Sequence, residues 1–210
     1  MTFAIDRSGL VGKDGETHQG IYDISFLCSI PNLTILAPMD GDELKSSLNY
    51  AMEYQGPIVI KYPRGAAYSR EELPEAPIEY GKAEILHRGK EVLILAVGSM
   101  VETALEVRDI LEADGRSVTV VNMRFVKPFD EELVLKLYKS HKMVVTMEEG
   151  ILTGGLGQQI QACLHENGCC RKKCINVSLP NQFIEHGTPD ELKHKYKLDT
   201  KSIVDRIKKG

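Results

Sequence analysis

The residues best equipped for chemistry are concentrated near the N-terminus, in Asp6–Gly20, DRSGLVGKDGETHQG. Asp14 and His18 stand four residues apart. An imidazole that exchanges protons near neutral pH and a carboxylate that accepts from a hydroxyl can therefore meet on one small polar molecule. Four glycines, Gly9, Gly12, Gly15 and Gly20, let the backbone turn tightly and approach a ligand closely. The stretch follows a strand-like run, Thr2–Ile5, and the carboxyl ends of strands are where α/β sheets bind ligands. Taken alone, the residue types leave a second reading open, in which Asp14 and His18 only cap local turns.

Other candidate groups are weaker. Glu148 and Glu149 precede Gly154-Gly155-Leu156-Gly157, a glycine-rich entry into a helix. Such an entry can cradle a phosphate, but adjacent carboxylates repel an anion, so close packing and capping is the favoured role. His186, in QFIEHG, reads as a structural loop histidine. The five cysteines, Cys28, Cys163, Cys169, Cys170 and Cys174, are odd in number and lack paired CxxC spacing. Free thiols are expected, and neither a disulfide framework nor a metal site.

The elements that must position these groups alternate between short β-branched runs and amphipathic segments, the pattern of an α/β fold with parallel strands. In residues 1–65 the pattern predicts strands at Thr2–Ile5, Thr34–Leu36 and Pro57–Tyr62. A helix from Asp42 to Tyr54 is expected between the last two, with Leu44, Leu48, Ala51 and Met52 on one face. Residues 66–79, AAYSREELPEAPIE, hold two prolines and little apolar periodicity and read as a linker. Over 80–210 the spacing predicts strands at Val92–Val97, Val118–Met123, Met143–Met147 and Ile175–Leu179. Helices are expected at Val101–Asp114, Asp130–Lys139, Gly154–His165, and from Thr188 and Thr200, with Thr188 as cap and Pro189 at the first helical position. That arrangement is a doubly wound domain. Residues 1–65 give a thin core, which suggests that something precedes them; Met1 directly before a strand fits a truncated chain or a split gene.

Bulk properties remove several function classes. A formal charge of −4 with 26 basic and 30 acidic residues gives no field for nucleic acid or an anionic membrane. The longest apolar run, Val92–Val97, is far short of the roughly 20 residues a membrane helix needs. Asp6 and Arg7 interrupt any signal-peptide layout, and the expected location is cytoplasmic.

Segments in order along nearly the whole chain carry a resemblance. GKDGETHQG at Gly12–Gly20 resembles the G-x-D-G-x-T-H-Q signature of the transketolase superfamily, whose members use thiamine diphosphate. DRSGLVG is similar to the version found in the deoxyxylulose-phosphate synthase branch. Ile30-Pro31-Asn32, Ala37-Pro38-Met39-Asp40, Lys61-Tyr62-Pro63-Arg64-Gly65 and Asn122-Met123-Arg124-Phe125-Val126-Lys127-Pro128 extend it. The resemblance implies the C-terminal half of a pyrimidine-binding α/β domain in 1–65 and a transketolase C-terminal domain in 80–210. It implies that His18 contacts reacting carbonyl or hydroxyl groups, that Asp14 orients a substrate hydroxyl, and that Arg7 and Arg64 hold the phosphate of glyceraldehyde 3-phosphate. Two guanidinium forks suit that task, being permanently charged and bidentate; a surface charge after a strand is the lesser reading of Arg64. Lys61 stands where the family often has arginine and keeps the charge without the fork.

The chain lacks the Gly-Asp-Gly and downstream Asn that hold magnesium and the cofactor's diphosphate in this superfamily, and the glutamate that protonates the aminopyrimidine. No residue here is therefore assigned to cofactor or metal. The isolated chain is expected neither to bind thiamine diphosphate tightly nor to turn over substrate, whereas the full enzyme would use thiamine diphosphate and Mg2+ with pyruvate and the triose phosphate. The resemblance also implies a homodimer. Transketolase itself, the beta subunit of a 2-oxoacid dehydrogenase, and a non-catalytic assembly module are the alternatives.

Overall fold

The computed structural model describes residues 1–65 and 76–209, the Lys13 side chain apart. Most of the expected linker, 66–75, lies outside the described residues; 76–79 run without regular structure. In chain order the elements are β1 (Thr2–Ile5), α1 (Asp23–Leu27), β2 (Thr34–Leu36), α2 (Gly41–Glu53), β3 (Ile58–Lys61), β4 (Glu84–His87), β5 (Val92–Ala96), α3 (Met100–Ala113), β6 (Val118–Asn122), β7 (Phe125–Lys127), α4 (Glu131–Ser140), β8 (Met143–Ile151), α5 (Leu156–Glu166), β9 (Lys173–Leu179), α6 (Pro189–Lys195) and α7 (Thr200–Lys208).

Two sheets result, ordered β1-β3-β2-β7 and β4-β6-β5-β8-β9. The four expected strands of the second unit run parallel, in register from Val92 against Val118 on one side and Met143 on the other. Burial on both faces explains the continuous apolar runs of β5 and β6, while β9, at the edge, alternates. Val92, Ile94 and Ala96 of β5 face a core built with α3 and α7, while Leu93 and Leu95 face one built with α4 and α5. Helices thus cover both faces, which makes the sheet doubly wound. Its winding reverses between β5 and β8, so Gly98–Ser99 and Glu148–Gly150 mark the switch point at the carboxyl ends of the strands. No helix among the described residues is long and apolar enough to cross a membrane.

The two halves are interlocked. Ile35 and Val59 of the first sheet share a core with Leu93, Leu95 and Leu156 of the second unit. β7, unexpected because it is three residues long and follows β6 almost directly, leaves the second unit to pair antiparallel with β2. The half-buried β4 was likewise not expected; it closes an edge antiparallel to β6.

The face expected for α2 is corrected. Ala51 is buried and Leu44 packs on the third core, but Leu48 and Met52 are exposed, Met52 by 84%. Glu43, Ser47 and Ala51 form the inward stripe instead. The reason is a charge partner from the other unit: Arg124 lies between Glu43 (Nε to Oε1, 2.8 Å) and Glu84, all within a buried junction. Asn122 adds two hydrogen bonds to Glu43, at 2.9 and 3.1 Å, and the Met39 N–H donates one at 2.7 Å.

The glycine-rich entry to α5 is a packing device, as expected. A Cβ on Gly155 would lie 2.5 Å from the Ile151 carbonyl oxygen, and one on Gly157 2.6 Å from Thr146 Oγ1. The anion at this helix start is the protein's own: Glu148 accepts from Leu156 N–H at 2.9 Å and Gly157 N–H at 2.8 Å. Burial pushes the Glu148 carboxyl up to about 7, and the two donors offset this only in part. Folding therefore takes up a proton between pH 4.5 and 7, so this group's contribution to stability falls as pH rises through that window, by about 3 kcal/mol in all. Urea unfolding should show that slope in the wild-type chain and its loss in Glu148→Gln; parallel pH profiles would contradict it.

Candidate functional site

The loop that carries the sequence candidates is closed at its neck by a reciprocal pair of backbone bonds, Gly9 N–H to Gly20 O at 3.1 Å and Gly20 N–H to Gly9 O at 2.9 Å. Arg7, just before the neck, sits at φ 58°, a left-handed conformation that costs any residue with a Cβ about 1 kcal/mol. Two contacts enforce it. Ser8 N–H donates to Tyr62 O at 3.0 Å, tying the loop to the end of β3. Gly20 passes directly beneath, where a Cβ would lie 1.9 Å from the Arg7 carbonyl oxygen.

The result is a convergence of three of the four candidates. Asp14 Oδ2 receives Arg7 Nε at 3.4 Å and Arg64 Nη1 at 2.5 Å. Partial burial would raise the Asp14 carboxyl, but the Arg64 and Arg7 guanidinium groups outweigh it and hold the carboxyl below its ordinary value. Asp14 is thus a clamp on two arginines rather than the open acceptor that its spacing suggested. Arg64, 50 residues away in sequence, is drawn to the loop because β3 delivers the chain beside β1. His18 is exposed on the same loop, its ring within 2.9 Å of Thr17 Oγ1 and open to a ligand.

Lys61 lies deeper. Its ammonium is buried, pairs with Asp23 and reaches the Gly20 carbonyl oxygen at 3.4 Å, which places it under the neck. Burial pushes its pKa down, against the pull of Asp23. It supports the loop from below.

Sequence reasoning missed how much of this loop rests on the second unit. Leu10 N–H donates to Glu149 Oε1 at 3.4 Å, Gly187 N–H to Gly12 O at 3.3 Å, and Gln19 Nε2 to Glu185 O at 3.3 Å. Ile151 N–H donates to Ile21 O at 3.0 Å, and Ser25 Oγ to Thr153 O at 2.6 Å. His186, expected to be structural, lies against Gly15. The apolar residues at positions 10 and 21, both in the second unit's core, were the available signal.

A cavity of about 540 Å³ opens beside the loop between the two units, lined by Asp6, Tyr62, Arg64, Ser99, Glu149 and Lys193 among others. Of the four residues given substrate roles, Arg64 is on its wall, and Arg7, Asp14 and His18 are outside it. The five cysteines are free, and among the described residues no group of three or more His, Cys, Asp or Glu side chains could hold a metal ion.

A doubly wound α/β unit that supports, on its switch-point loops, a polar loop from a neighbouring, mostly parallel sheet defines the class. Residues 81–203 match the model of the transketolase C-terminal domain and residues 1–69 that of the transketolase pyrimidine binding domain. The chain belongs to the transketolase family. It is 45% identical over 207 residues to the 1-deoxy-D-xylulose-5-phosphate synthase of Lachnoclostridium phytofermentans, covering 99% of this chain and 33% of that protein. The synthase of the same name from Alkaliphilus oremlandii is 44% identical, covering 100% and 34%. Among solved structures, one described as a split gene transketolase, inactive beta4 tetramer, superposes with a TM-score of 0.89 at 30% identity, covering 99% of this chain and 66% of that one. The chain spans about a third of the length of the curated relatives it matches.

Proposed function

We propose that this chain supplies the acceptor-binding part of a thiamine-diphosphate-dependent synthase that joins pyruvate to glyceraldehyde 3-phosphate, releasing carbon dioxide and giving 1-deoxy-D-xylulose 5-phosphate. One observation carries the reading: Arg7 and Arg64 are drawn to a single point by Asp14 on the loop that also presents His18. Two permanent cations within reach of one oxygen suit a phosphate, which takes several charge-assisted bonds at once. As the phosphate engages the arginines, Asp14 is freed to accept from a hydroxyl of the triose, and His18 can donate to or exchange protons with the carbonyl end. The identity of the two synthase relatives supports the choice of reaction over that of transketolase.

In such an enzyme the cofactor stabilises the carbanion, and the protein positions and protonates. Thiamine diphosphate and its Mg2+ are assigned to the remainder of the protein, so the isolated chain is inactive and cytoplasmic in this reading. Residues 1–65 complete a pyrimidine-binding domain supplied from elsewhere, and 80–210 form the C-terminal domain. The chain associates with a second copy of itself. A non-catalytic assembly module is the second reading, favoured by the similar split-gene transketolase chain, which forms an inactive tetramer. Mixing the chain with an N-terminal partner that carries the Gly-Asp-Gly segment separates the two. Decarboxylation of pyruvate that depends on glyceraldehyde 3-phosphate is the expected outcome; no rescue would establish the assembly module.

A further inference from the structure

The carboxyl-end crevice at the switch point of a doubly wound sheet is the usual place for a ligand. Here Glu149 stands in it, at the end of β8, and turns toward the first unit. Its largely buried carboxylate accepts from Ser99 Oγ at 2.5 Å and from Leu10 N–H at 3.4 Å, with Lys193 Nζ 3.9 Å away. It packs so closely on the Gly9 α-carbon that a Cβ there would lie 2.8 Å from the carboxyl carbon and from Oε2. Gly9 is also half of the reciprocal pair that closes the neck, two residues from Arg7. The contacts made by Glu185 and Gly187 reach Gln19 and Gly12 instead, farther along the loop.

We propose that Glu149 is a positioning residue for the substrate loop: by fixing Gly9–Leu10 it sets where Arg7 meets Arg64, and so couples the second unit to anion recognition by the first. This rests on the reading of Arg7 and Arg64 as phosphate ligands. A carboxylate in this place is costly, since burial pushes it up, and Lys193, Ser99 and the Leu10 N–H work against that. The expense is matched to a task that requires a fixed hydrogen-bonding group at the junction, with Ser99 on one oxygen and Leu10 N–H on the other. Ser99 in turn orients the carboxylate from the N-terminus of α3.

The test combines amide hydrogen exchange with titration by inorganic phosphate, on the chain and its variants. Glu149→Ala is expected to speed exchange at Leu10, Val11 and Gly20 about tenfold, to leave Leu93–Ala96 of β5 protected, and to weaken phosphate binding about tenfold, the effect of one lost charged hydrogen bond. Glu149→Gln should stay within about threefold of the wild type, because its amide oxygen still accepts from Leu10 and its NH2 donates to Ser99 Oγ. Glu102→Gln, on the wall of the same cavity, should bind phosphate as the wild type does. Unchanged exchange at Leu10 and Gly20 in Glu149→Ala, or equal acceleration in β5, overturns the proposal. Should Glu149→Ala not fold, Ser99→Ala carries the same expectation in weaker form. A wild-type chain that does not bind phosphate overturns the reading of Arg7 and Arg64 and the anion half of this proposal, while exchange still decides whether Glu149 holds the loop.

Discussion

Arg124→Met is expected to cost the folded chain about 4 kcal/mol, the range found when one partner of a buried ion pair is removed. Glu43 is 1% exposed, and burial already raises its carboxyl, held in check mainly by Arg124 and secondarily by Met39 N–H and Asn122. Without the guanidinium, Glu43 must stay charged in an apolar junction or take up a proton. The loss is therefore expected to be greater at pH 8 than at pH 5. The same substitution releases Glu84 and two bonds from Arg124 Nη1 to the Ala76 and Pro77 carbonyls, at 3.2 and 3.1 Å, which tie down the chain entering the second unit. Adding Glu43→Gln to Arg124→Met should recover about 2 kcal/mol, since the uncompensated charge is then gone. Urea midpoints at the two pH values decide this. A loss under about 1 kcal/mol, or no recovery in the double variant, would contradict a buried charge junction.

The second large effect concerns recognition. In the two-part assay, replacing Arg7 and Arg64 together by alanine is expected to lower kcat/KM for glyceraldehyde 3-phosphate about a thousandfold, from two charge-assisted contacts worth about 2 kcal/mol each. The loss should fall mainly on KM, because the phosphate is remote from the bond being made and is held alike before and at the transition state. Activity toward unphosphorylated glyceraldehyde should barely change. Arg64→Ala alone leaves Arg7 on Asp14 and should cost less than half as much in free energy. Equal losses with both substrates would indicate a damaged loop rather than a lost phosphate contact.

Much of the scaffold was legible because burial on both faces leaves unbroken apolar runs. Val92–Ala96 and Val118–Asn122 declare themselves, and Thr188 before Pro189 marked the start of α6, where a capping box with Glu191 forms. Elements shaped by distant partners were not legible. β7 exists because β2 offers an edge, and α1 is a five-residue turn packed on the second unit. The inward stripe of α2 reads as polar in the sequence because Asn122 and Arg124, about 80 residues on, make it satisfiable. In the site, the loop's composition was visible, and family resemblance singled out its arginines. The Asp14 clamp was not visible, since it requires β3 to bring Arg64 alongside. Glu149, adjacent to a glycine-rich helix start, looked like a repellent neighbour; its partner Leu10 lies 139 residues earlier.

The central claim is that Arg7, Arg64 and His18 form one site for a phosphorylated aldose, and side-chain NMR of the chain titrated with glyceraldehyde 3-phosphate tests it most directly. The expected result is movement of the Arg7 and Arg64 Nε resonances together with the His18 ring, saturating in the millimolar range usual for a few exposed polar contacts, and no movement with glyceraldehyde. Matching shifts with both compounds, or shifts that bypass the two arginines, would contradict it.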